Sequence, residues 1–249
     1  MTHAQWALAC LLAAGLGNLP AWAADIPAAP TAAPPLLAVR IAIAKAVELE
    51  PVLVQRVRHA GFEREAASRD ARAVANWVVD SRDSKGMPFA IVDKKDAKVF
   101  VFDADGRLRG AGPALLGLAI GDDAVPGIGN RALSSILPEE RTTPAGRFVA
   151  TLDRNLKGKE ILWVDYAGAV SMHPVVSSKA AERRLQRMAS PSPLDNRISY
   201  GCINVPAEFF DKVVRPAFTG TSGIVYVLPE SSSAQLMFGS YVVAVPPGL

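Results

Sequence analysis

From residue 89 onward, the chain consists of short runs rich in β-branched and aromatic residues, separated by turns containing Gly, Pro, Asp and Lys. Residues 89–92 and 99–102 are the first two runs, and the polar turn 93–96 lies between them. Further strand candidates follow at residues 115–120, 148–152, 161–166, 169–173, 224–228 and 236–245. This succession predicts a mainly β domain, a sandwich or barrel, interrupted by a helix near residues 178–188 and another starting at Pro206.

The charge balance and the cysteine content exclude several classes of protein. The 249 residues carry 27 basic and 24 acidic side chains, and the net charge of +3 is too small to indicate a nucleic-acid partner. Hydrophobic residues make up 50% of the chain, which excludes wholesale disorder, and the 20% that are charged exclude an integral membrane bundle. Two cysteines exclude a disulfide framework and a four-thiolate zinc site. We therefore expect a globular domain with neither a metal nor a cofactor.

The amino terminus predicts export from the cytoplasm. Residues 1–23 contain no Lys, Arg, Asp or Glu, and the apolar run 6–17 is followed by the small-x-small triplet Ala21-Trp22-Ala23. This pattern is typical of a secretory signal cut near Ala23 or Ala24, and the run is too short to span a membrane comfortably. Because no basic residue precedes the apolar run, an uncleaved amphiphilic anchor is the alternative. We expect a location in the periplasm or elsewhere in the cell envelope, with no stable membrane span in the mature chain.

Composition divides the rest of the chain into three parts. Residues 24–35 are rich in Ala and Pro and are typical of an extended linker. Residues 36–84 form a helical segment, in which Ala67, Ala71, Val74 and Val78 recur at the spacing of one helix face. Residues 85–249 form the mainly β domain. Within it we interpret the Gly-rich stretch 121–129 as a surface loop and not as a phosphate-binding loop.

Cleavage of the signal would remove Cys10 and leave Cys202 as the one cysteine of the mature chain. An unpaired cysteine in an oxidising compartment is either buried and inert or kept for its reactivity. Cys202 lies just before the helix predicted from Pro206, where a helix dipole and free amides would lower its pKa. Gly201 carries no side chain, so we expect substrate to reach the sulfur.

A cysteine nucleophile also needs a base, and His173 is the histidine best placed to supply it. His3 leaves with the signal and His59 belongs to the helical segment, whereas His173 ends a predicted strand 29 residues before Cys202. A Cys/His pair brought together by the fold is the minimal device for thiol acyl transfer.

These residues resemble the L,D-transpeptidase catalytic-domain family. Its signature is a strand ending in His, a loop of variable length, and then Ser/Thr-His-Gly-Cys-hydrophobic-Asn or Arg, matched here by His173 and by Ser199-Tyr200-Gly201-Cys202-Ile203-Asn204. Upstream, Thr143-Pro144-Ala145-Gly146-Arg147-Phe148 resembles the Thr-Pro-x-Gly-x-Phe motif of the family. The resemblance covers residues 88–230, over half of the chain, with the three motifs in the order of the family.

The resemblance implies a β-rich domain, an L,D-transpeptidase-like sandwich, that acts on peptidoglycan stem peptides. Cys202 would attack the carbonyl at the L-centre of diaminopimelate, expel D-alanine and pass the acyl group from the thioester to an amine. His173 would be the base, oriented by the backbone carbonyl of Pro174. The amides of Gly201 and Cys202 are the candidates for the oxyanion hole.

Two departures from the family pattern affect the predicted site. Tyr200 occupies the position of a second histidine, where a phenol can donate a hydrogen bond but is a poor base. The long insertion between His173 and Cys202 is basic, and one hypothesis is a lid in which Arg183, Arg184 and Arg197 hold substrate carboxylates. An ordinary solvated helix face is the interpretation that we favour. Around the nucleophile, Asn204 would order the turn or contact substrate, and Ser199 would support the loop.

Two other functions fit the same residues. One is a peptidoglycan carboxypeptidase or endopeptidase with the same Cys/His pair, in which water accepts the acyl group. The other is a non-catalytic cell-wall-binding protein in which Tyr200 marks decay of the site.

Overall fold

The structure is a computed structural model, and it describes residues 57–244. The predicted signal peptide, the linker and the helical segment as far as residue 56 lie outside the described residues. Within residues 57–244, no helix combines the length and the apolar character that crossing a bilayer requires.

Ten strands form the framework of the described region. They are β1 (Phe89–Asp93), β2 (Lys98–Phe102), β3 (Leu108–Pro113), β4 (Leu116–Gly117), β5 (Gly146–Arg154), β6 (Glu160–Asp165), β7 (Val170–Pro174), β8 (Arg197–Ser199), β9 (Ile203–Val205) and β10 (Gly223–Val227). Eight of them make one mixed sheet in the order β3-β2-β1-β10-β5-β6-β7-β9, and β4 and β8 make a small second sheet. The predicted mainly β class is confirmed.

Three strand pairs are parallel: β1 with β10, β4 with β8, and β7 with β9. The other neighbours in the large sheet are antiparallel. The β7–β9 pair matters most for function, because it sets His173 directly opposite Asn204. Since Cys202 immediately precedes β9, the parallel pairing brings two distant motifs to one edge of the sheet.

Helix α1 (Arg69–Ser81) covers part of one sheet face. The Ser68 hydroxyl accepts a hydrogen bond from the Ala71 amide over 3.1 Å and caps the helix start, as serine commonly does. Ala71, Val74 and Val78 are buried, which confirms the predicted helix face. Ala67, which the predicted face also included, lies before the helix, because the chain from residue 57 to the cap at Ser68 is not helical.

The sheet separates two apolar cores. The core beneath α1 holds alternate residues of the first strands, Phe89, Ile91, Phe100, Phe102, Ile224 and Tyr226. The core on the opposite face holds the intervening residues and extends along the sheet to Leu162, Met172, Ile203 and Val205. Because strand side chains alternate between faces, Ser171, His173 and Asn204 point away from this second core. The candidate site is built on that face.

The predicted helix at residues 178–188 forms two short pieces, a 3₁₀ turn (Ala180–Glu182) and α2 (Arg184–Met188). Arg183 separates them with a left-handed φ of 50°. Further 3₁₀ turns are Ile128–Asn130, Leu133–Ser135, Pro138–Glu140 and Pro193–Asn196.

The helix predicted at Pro206 begins one residue later, with Pro206 as its cap. It consists of α3 (Ala207–Phe209), a π-helical turn (Phe210–Val214) and α4 (Arg215–Phe218). The strand predicted over residues 236–245 is wrong. The chain forms α5 (Ala234–Phe238), which ends at Gly239 in the left-handed conformation and packs Phe238 against the core beneath α1.

Candidate active site

The candidate nucleophile lies in the short loop that connects β8 to β9. Cys202 is half-buried, and its thiol interacts with the imidazole of His173 on β7. Burial by itself would raise the pKa of the Cys202 thiol, but the interaction with His173 and the charge of its imidazole lower that pKa below the ordinary thiol value. The structure therefore brings together the two residues on which the predicted chemistry depends.

The pKa of His173 moves in the opposite direction. Burial would lower it, but the contact with Cys202 and the hydrogen bond to Pro174 raise it above the ordinary imidazole value. A lowered thiol pKa beside a raised imidazole pKa favours a thiolate–imidazolium pair.

The backbone of Pro174 orients the imidazole. His173 Nδ1 lies 2.8 Å from the Pro174 carbonyl oxygen. Because a carbonyl oxygen can only accept, Nδ1 is protonated and donates a hydrogen bond to it. In the neutral ring this leaves Nε2 as the proton acceptor. The contact that the resemblance implies for Pro174 is present.

Ser171 is a site residue that the sequence analysis missed. Its hydroxyl lies 3.6 Å from Cys202 Sγ, and the carbonyl oxygen of Ala169 lies 3.7 Å from the same sulfur. The backbone amide of Ser171 and then its hydroxyl lower the pKa of the thiol further. Strand alternation would have revealed Ser171, because it lies two residues before His173 and therefore on the same sheet face.

Ser199 and Gly201 shape the loop from within. The Ser199 hydroxyl accepts from the Gly201 amide over 3.1 Å and donates to the Cys202 carbonyl over 2.6 Å. Ser199 therefore supports the loop as predicted. Because the Gly201 amide donates to the Ser199 hydroxyl, it is not free to form part of the expected oxyanion hole. Gly201 also has a φ of 129°, and an added Cβ would lie 2.8 Å from the Thr142 carbonyl oxygen. A glycine is therefore needed there for the close approach of the two backbone segments.

Thr143, from the Thr-Pro motif, anchors the same loop. Its buried hydroxyl donates to the Gly201 carbonyl over 2.9 Å and accepts from the Gly117 amide over 2.8 Å. Its own carbonyl accepts from Lys94 Nζ over 2.9 Å.

Lys94 belongs to a buried ion cluster that consists of Lys94, Asp122, Arg197 and Glu230. Its Nζ lies 3.0 Å from Asp122 and 3.3 Å from Glu230, and Arg197 pairs with Glu230. Arg197 also donates to the Lys94 carbonyl over 2.8 Å and is buried, so it is not the exposed substrate contact that we predicted. We interpreted the stretch that contains Asp122 as a surface loop, but the side chain of Asp122 is only 8% exposed. Burial would raise its pKa, but backbone donors and Lys94 hold it well below its usual range.

The other two predicted carboxylate contacts also have protein partners. Arg184 Nη1 donates to Asn204 Oδ1 over 2.6 Å, and its Nε donates to Glu182 over 2.5 Å. Arg183 Nε donates to Gln186 over 2.6 Å on the exposed surface. Arg184 therefore belongs to the site through Asn204, whereas Arg183 has its contact within the inserted segment.

Asn204 is buried and contacts both members of the pair. Its Nδ2 lies 3.3 Å from His173 Nε2 and 3.4 Å from the Cys202 carbonyl oxygen.

Tyr200, two residues before Cys202, lies under the guanidinium of Arg141, whose central carbon is 4.0 Å from the centroid of the Tyr200 ring. This cation–π contact fixes the phenol at the position where the family carries a histidine.

The expected effect of a helix dipole on Cys202 is wrong. Strand β9 lies between the sulfur and the helical turn that begins at Ala207, so the helix start does not reach the thiol. His173 and Ser171 lower the thiol pKa instead. Within residues 57–244, no group of three His, Cys, Asp or Glu side chains is placed to hold a metal ion.

No family model and no curated protein matches the chain. Among solved structures, it is similar to the helical cell shape determining protein Pgp2 from Campylobacter jejuni, with 16% identity and a TM-score of 0.37 over 59% of this chain and 49% of that one. It is also similar to the LD transpeptidase LdtMt1 in complex with imipenem, with 17% identity and a TM-score of 0.33 over 57% of this chain and 58% of that one.

An L,D-transpeptidase from Xylanimonas cellulosilytica shows 15% identity and a TM-score of 0.34 over 59% of this chain and 62% of its own. The chain thus spans about half to three fifths of these structures. With identities and TM-scores this low, the similarities do not assign an activity.

Proposed function

We propose that this chain is a cysteine acyltransferase of the L,D-transpeptidase type that acts on peptidoglycan stem peptides. The observation that carries the proposal is the Cys202–His173 pair, with Nδ1 of His173 bonded to Pro174. A thiol of lowered pKa beside an oriented imidazole is suited to nucleophilic attack on an amide carbonyl. The three sequence motifs, which meet around Cys202 through Thr143 and Asn204, support the choice of substrate.

In the first half-reaction, His173 Nε2 takes the thiol proton, and Cys202 Sγ attacks the carbonyl carbon at the L-centre of diaminopimelate. A C–S bond forms and the carbonyl oxygen becomes an oxyanion, for which the Cys202 amide is our remaining candidate donor. The intermediate collapses by breaking the bond to D-alanine. The leaving amine takes the proton from the imidazolium, which leaves a thioester and a neutral His173.

In the second half-reaction, His173 Nε2 removes a proton from an acceptor amine as the amine attacks the thioester carbonyl. The C–S bond breaks, the new amide forms, and the proton returns to the sulfur. An acceptor amine gives transpeptidation or the attachment of a D-amino acid, whereas water gives a carboxypeptidase by the same steps.

Product analysis tests this function. Purified protein is incubated with a disaccharide tetrapeptide, with and without an added D-amino acid, and the products are separated and weighed. We expect release of D-alanine together with a cross-linked dimer or a D-amino acid adduct, and no product from Cys202→Ala. Tripeptide alone would show that water is the acceptor, and no turnover of any stem peptide would contradict the proposal.

We also propose that the protein works in the cell envelope, on the basis of the predicted signal at residues 1–23. A fusion of residues 1–35 to a reporter that is active only outside the cytoplasm tests this location. The non-catalytic alternative predicts that Cys202→Ala retains the cellular role of the wild type, whereas an enzyme would lose it.

A further inference from the structure

One side chain from the inserted segment reaches the centre of the site. Arg184 begins helix α2, and its side chain is only 13% exposed. Glu182 holds its Nε at 2.5 Å, while its Nη1 donates to Asn204 Oδ1 over 2.6 Å. The guanidinium is therefore fixed between a carboxylate and a buried amide.

This contact determines which way the Asn204 amide points. A guanidinium has only donors, so the atom of Asn204 that faces Arg184 must be the oxygen, and the NH₂ group faces the other way. There Nδ2 lies 3.3 Å from His173 Nε2 and 3.4 Å from the Cys202 carbonyl oxygen. The chemistry of Arg184 thus decides which end of the amide meets the imidazole.

The amide orientation affects the fate of the catalytic proton. In the opposite orientation, Oδ1 would face Nε2 and accept a hydrogen bond from the imidazolium. The imidazolium would then have a competing acceptor besides the thiolate. With Nδ2 in that place, the amide donates to Nε2 in the neutral ring. Once Nε2 is protonated, the amide offers it no acceptor, and the sulfur of Cys202 is the acceptor left to the Nε2 proton on this side of the site.

We propose that Arg184 is a positioning residue that locks the Asn204 amide and thereby directs the Nε2 proton of His173 to Cys202. The inference rests on the proposed Cys202–His173 pair and is independent of which acyl donor the enzyme uses. It also replaces the predicted role of Arg184 as a substrate contact, because both of its contacts are within the protein.

Charged groups from two elements act on the imidazole. Cys202 raises the pKa of His173 from the β8–β9 loop, and the positive charge of Arg184 lowers it from the inserted segment. Glu182 forms an ion pair with Arg184 and also lies 3.7 Å from Lys179 Nζ. Removal of Arg184 therefore raises the pKa of His173 in two ways, by deleting a cation and by allowing the amide oxygen to turn toward Nε2.

The test uses the full mature protein and two measurements, the pKa of His173 by NMR and the pH dependence of Cys202 alkylation by iodoacetamide. The variants are Arg184→Met, Arg184→Lys, Asn204→Ala and the double variant. Arg183→Met is the matched control, because Arg183 is the neighbouring arginine and its contact is with Gln186. Circular dichroism and thermal unfolding establish that each variant is folded.

We expect Arg184→Met to raise the pKa of His173 and to move the acid inflection of alkylation upward by about half a pH unit or more, roughly a threefold loss of rate below that inflection. Arg184→Lys, which keeps a donor and a charge, should recover most of the shift, and Arg183→Met should show none. In the Asn204→Ala background, most of the effect of Arg184→Met should disappear.

An equal shift in both backgrounds would overturn the proposal, because Arg184 would then act only as a charge. No shift in Arg184→Met would overturn it as well. If wild-type Cys202 itself titrates as an ordinary thiol, the Cys202–His173 pair fails and this inference fails with it. If Arg184→Met does not fold, Arg184→Gln, which removes the charge but keeps a polar side chain, takes its place, and a shift no larger than that in Arg183→Met would contradict the proposal.

Discussion

The hydroxyl of Thr143 donates a hydrogen bond to the Gly201 carbonyl over 2.9 Å, and this contact joins the Thr-Pro motif to the loop that carries Cys202. The residues are 58 positions apart in the chain, and Thr143 is almost wholly buried. Because the same oxygen accepts from the Gly117 amide, one side chain connects three segments. The position of the sulfur therefore depends on a residue that takes no part in the chemistry.

Thr143→Val should weaken this connection with little change in volume. Loss of the hydroxyl leaves the Gly117 amide and the Gly201 carbonyl unpaired in a buried place, at a cost of about 1–3 kcal/mol. We expect a lower free energy of unfolding in urea and slower acylation of Cys202. Thr142→Val is the matched control, since the Thr142 hydroxyl donates to the Asp123 carbonyl at the surface. Equal effects of the two variants would contradict this prediction.

Ser171→Ala should make Cys202 a poorer nucleophile near neutral pH. The Ser171 hydroxyl lies 3.6 Å from the sulfur and lowers the thiol pKa, so its removal raises that pKa. We expect an upward shift of roughly 0.5–1 pH unit in the acid inflection of iodoacetamide alkylation, the equivalent of about 1 kcal/mol. Ser222→Ala, a change to a serine that contacts Thr151 across the surface, should leave the profile unchanged.

The pH dependence of acyl transfer should be bell-shaped. The pKa of Cys202 is lowered and that of His173 is raised, and both shifts favour a thiolate–imidazolium pair in the intermediate pH range. Activity is lost at low pH as the thiolate takes up a proton, and at high pH as His173 loses the proton that the leaving amine needs. The kcat/KM for D-alanine release measures both limbs. A single inflection at the ordinary thiol pKa would show that the pair is absent.

Lys94→Met should destabilise the fold by about 3–5 kcal/mol, because it leaves Asp122 and Glu230 buried with one cation fewer. The loss should be largest at neutral pH and should shrink in acid, where the unpaired carboxylates become protonated. The stability of the wild type should depend on pH in the same direction. Because the pKa of Asp122 is lower in the folded protein than in the unfolded chain, its ionised carboxylate stabilises the fold at pH values above the unfolded pKa. This stabilisation is lost as the pH falls through the pKa of Asp122 in the folded protein.

The neighbouring Lys95 provides the control for this experiment. It is half-exposed and pairs with Asp70 at the surface, so Lys95→Met should change the free energy of unfolding by less than about 1 kcal/mol. Urea unfolding at neutral and acidic pH measures both variants. A similar small change in the two would mean that the buried ion cluster does not support the fold.

Local patterns were sufficient to predict much of the framework. The β-branched and aromatic runs at residues 89–92 and 99–102 predicted β1 and β2, and the strand ending at His173 was predicted within a residue of β7. The prediction that His173 and Cys202 meet required only the residue types and their order, because few other groups could serve as nucleophile and base.

Contacts between distant segments were not predictable from the same patterns. Lys94 lies in a polar turn that is typical of a solvated hairpin, yet it is buried because Asp122 and Glu230 approach from far along the chain. The proposed substrate contact of Arg184 has the same origin. Its actual partner, Asn204, is 20 positions away in the sequence and comes close only in the folded chain. The apolar run 236–238 shows no periodicity that separates a strand from a helix, and tertiary packing of Phe238 decided for the helix.

The most direct measurement is the intact mass of the purified protein after exposure to a carbapenem. The thiolate of Cys202 should open the β-lactam ring, which increases the mass by that of one carbapenem molecule, and the adduct should be absent from Cys202→Ala and form much more slowly in His173→Ala. An unchanged mass in the wild type, or an adduct of equal size in Cys202→Ala, would contradict the assignment of Cys202 and His173 as nucleophile and base.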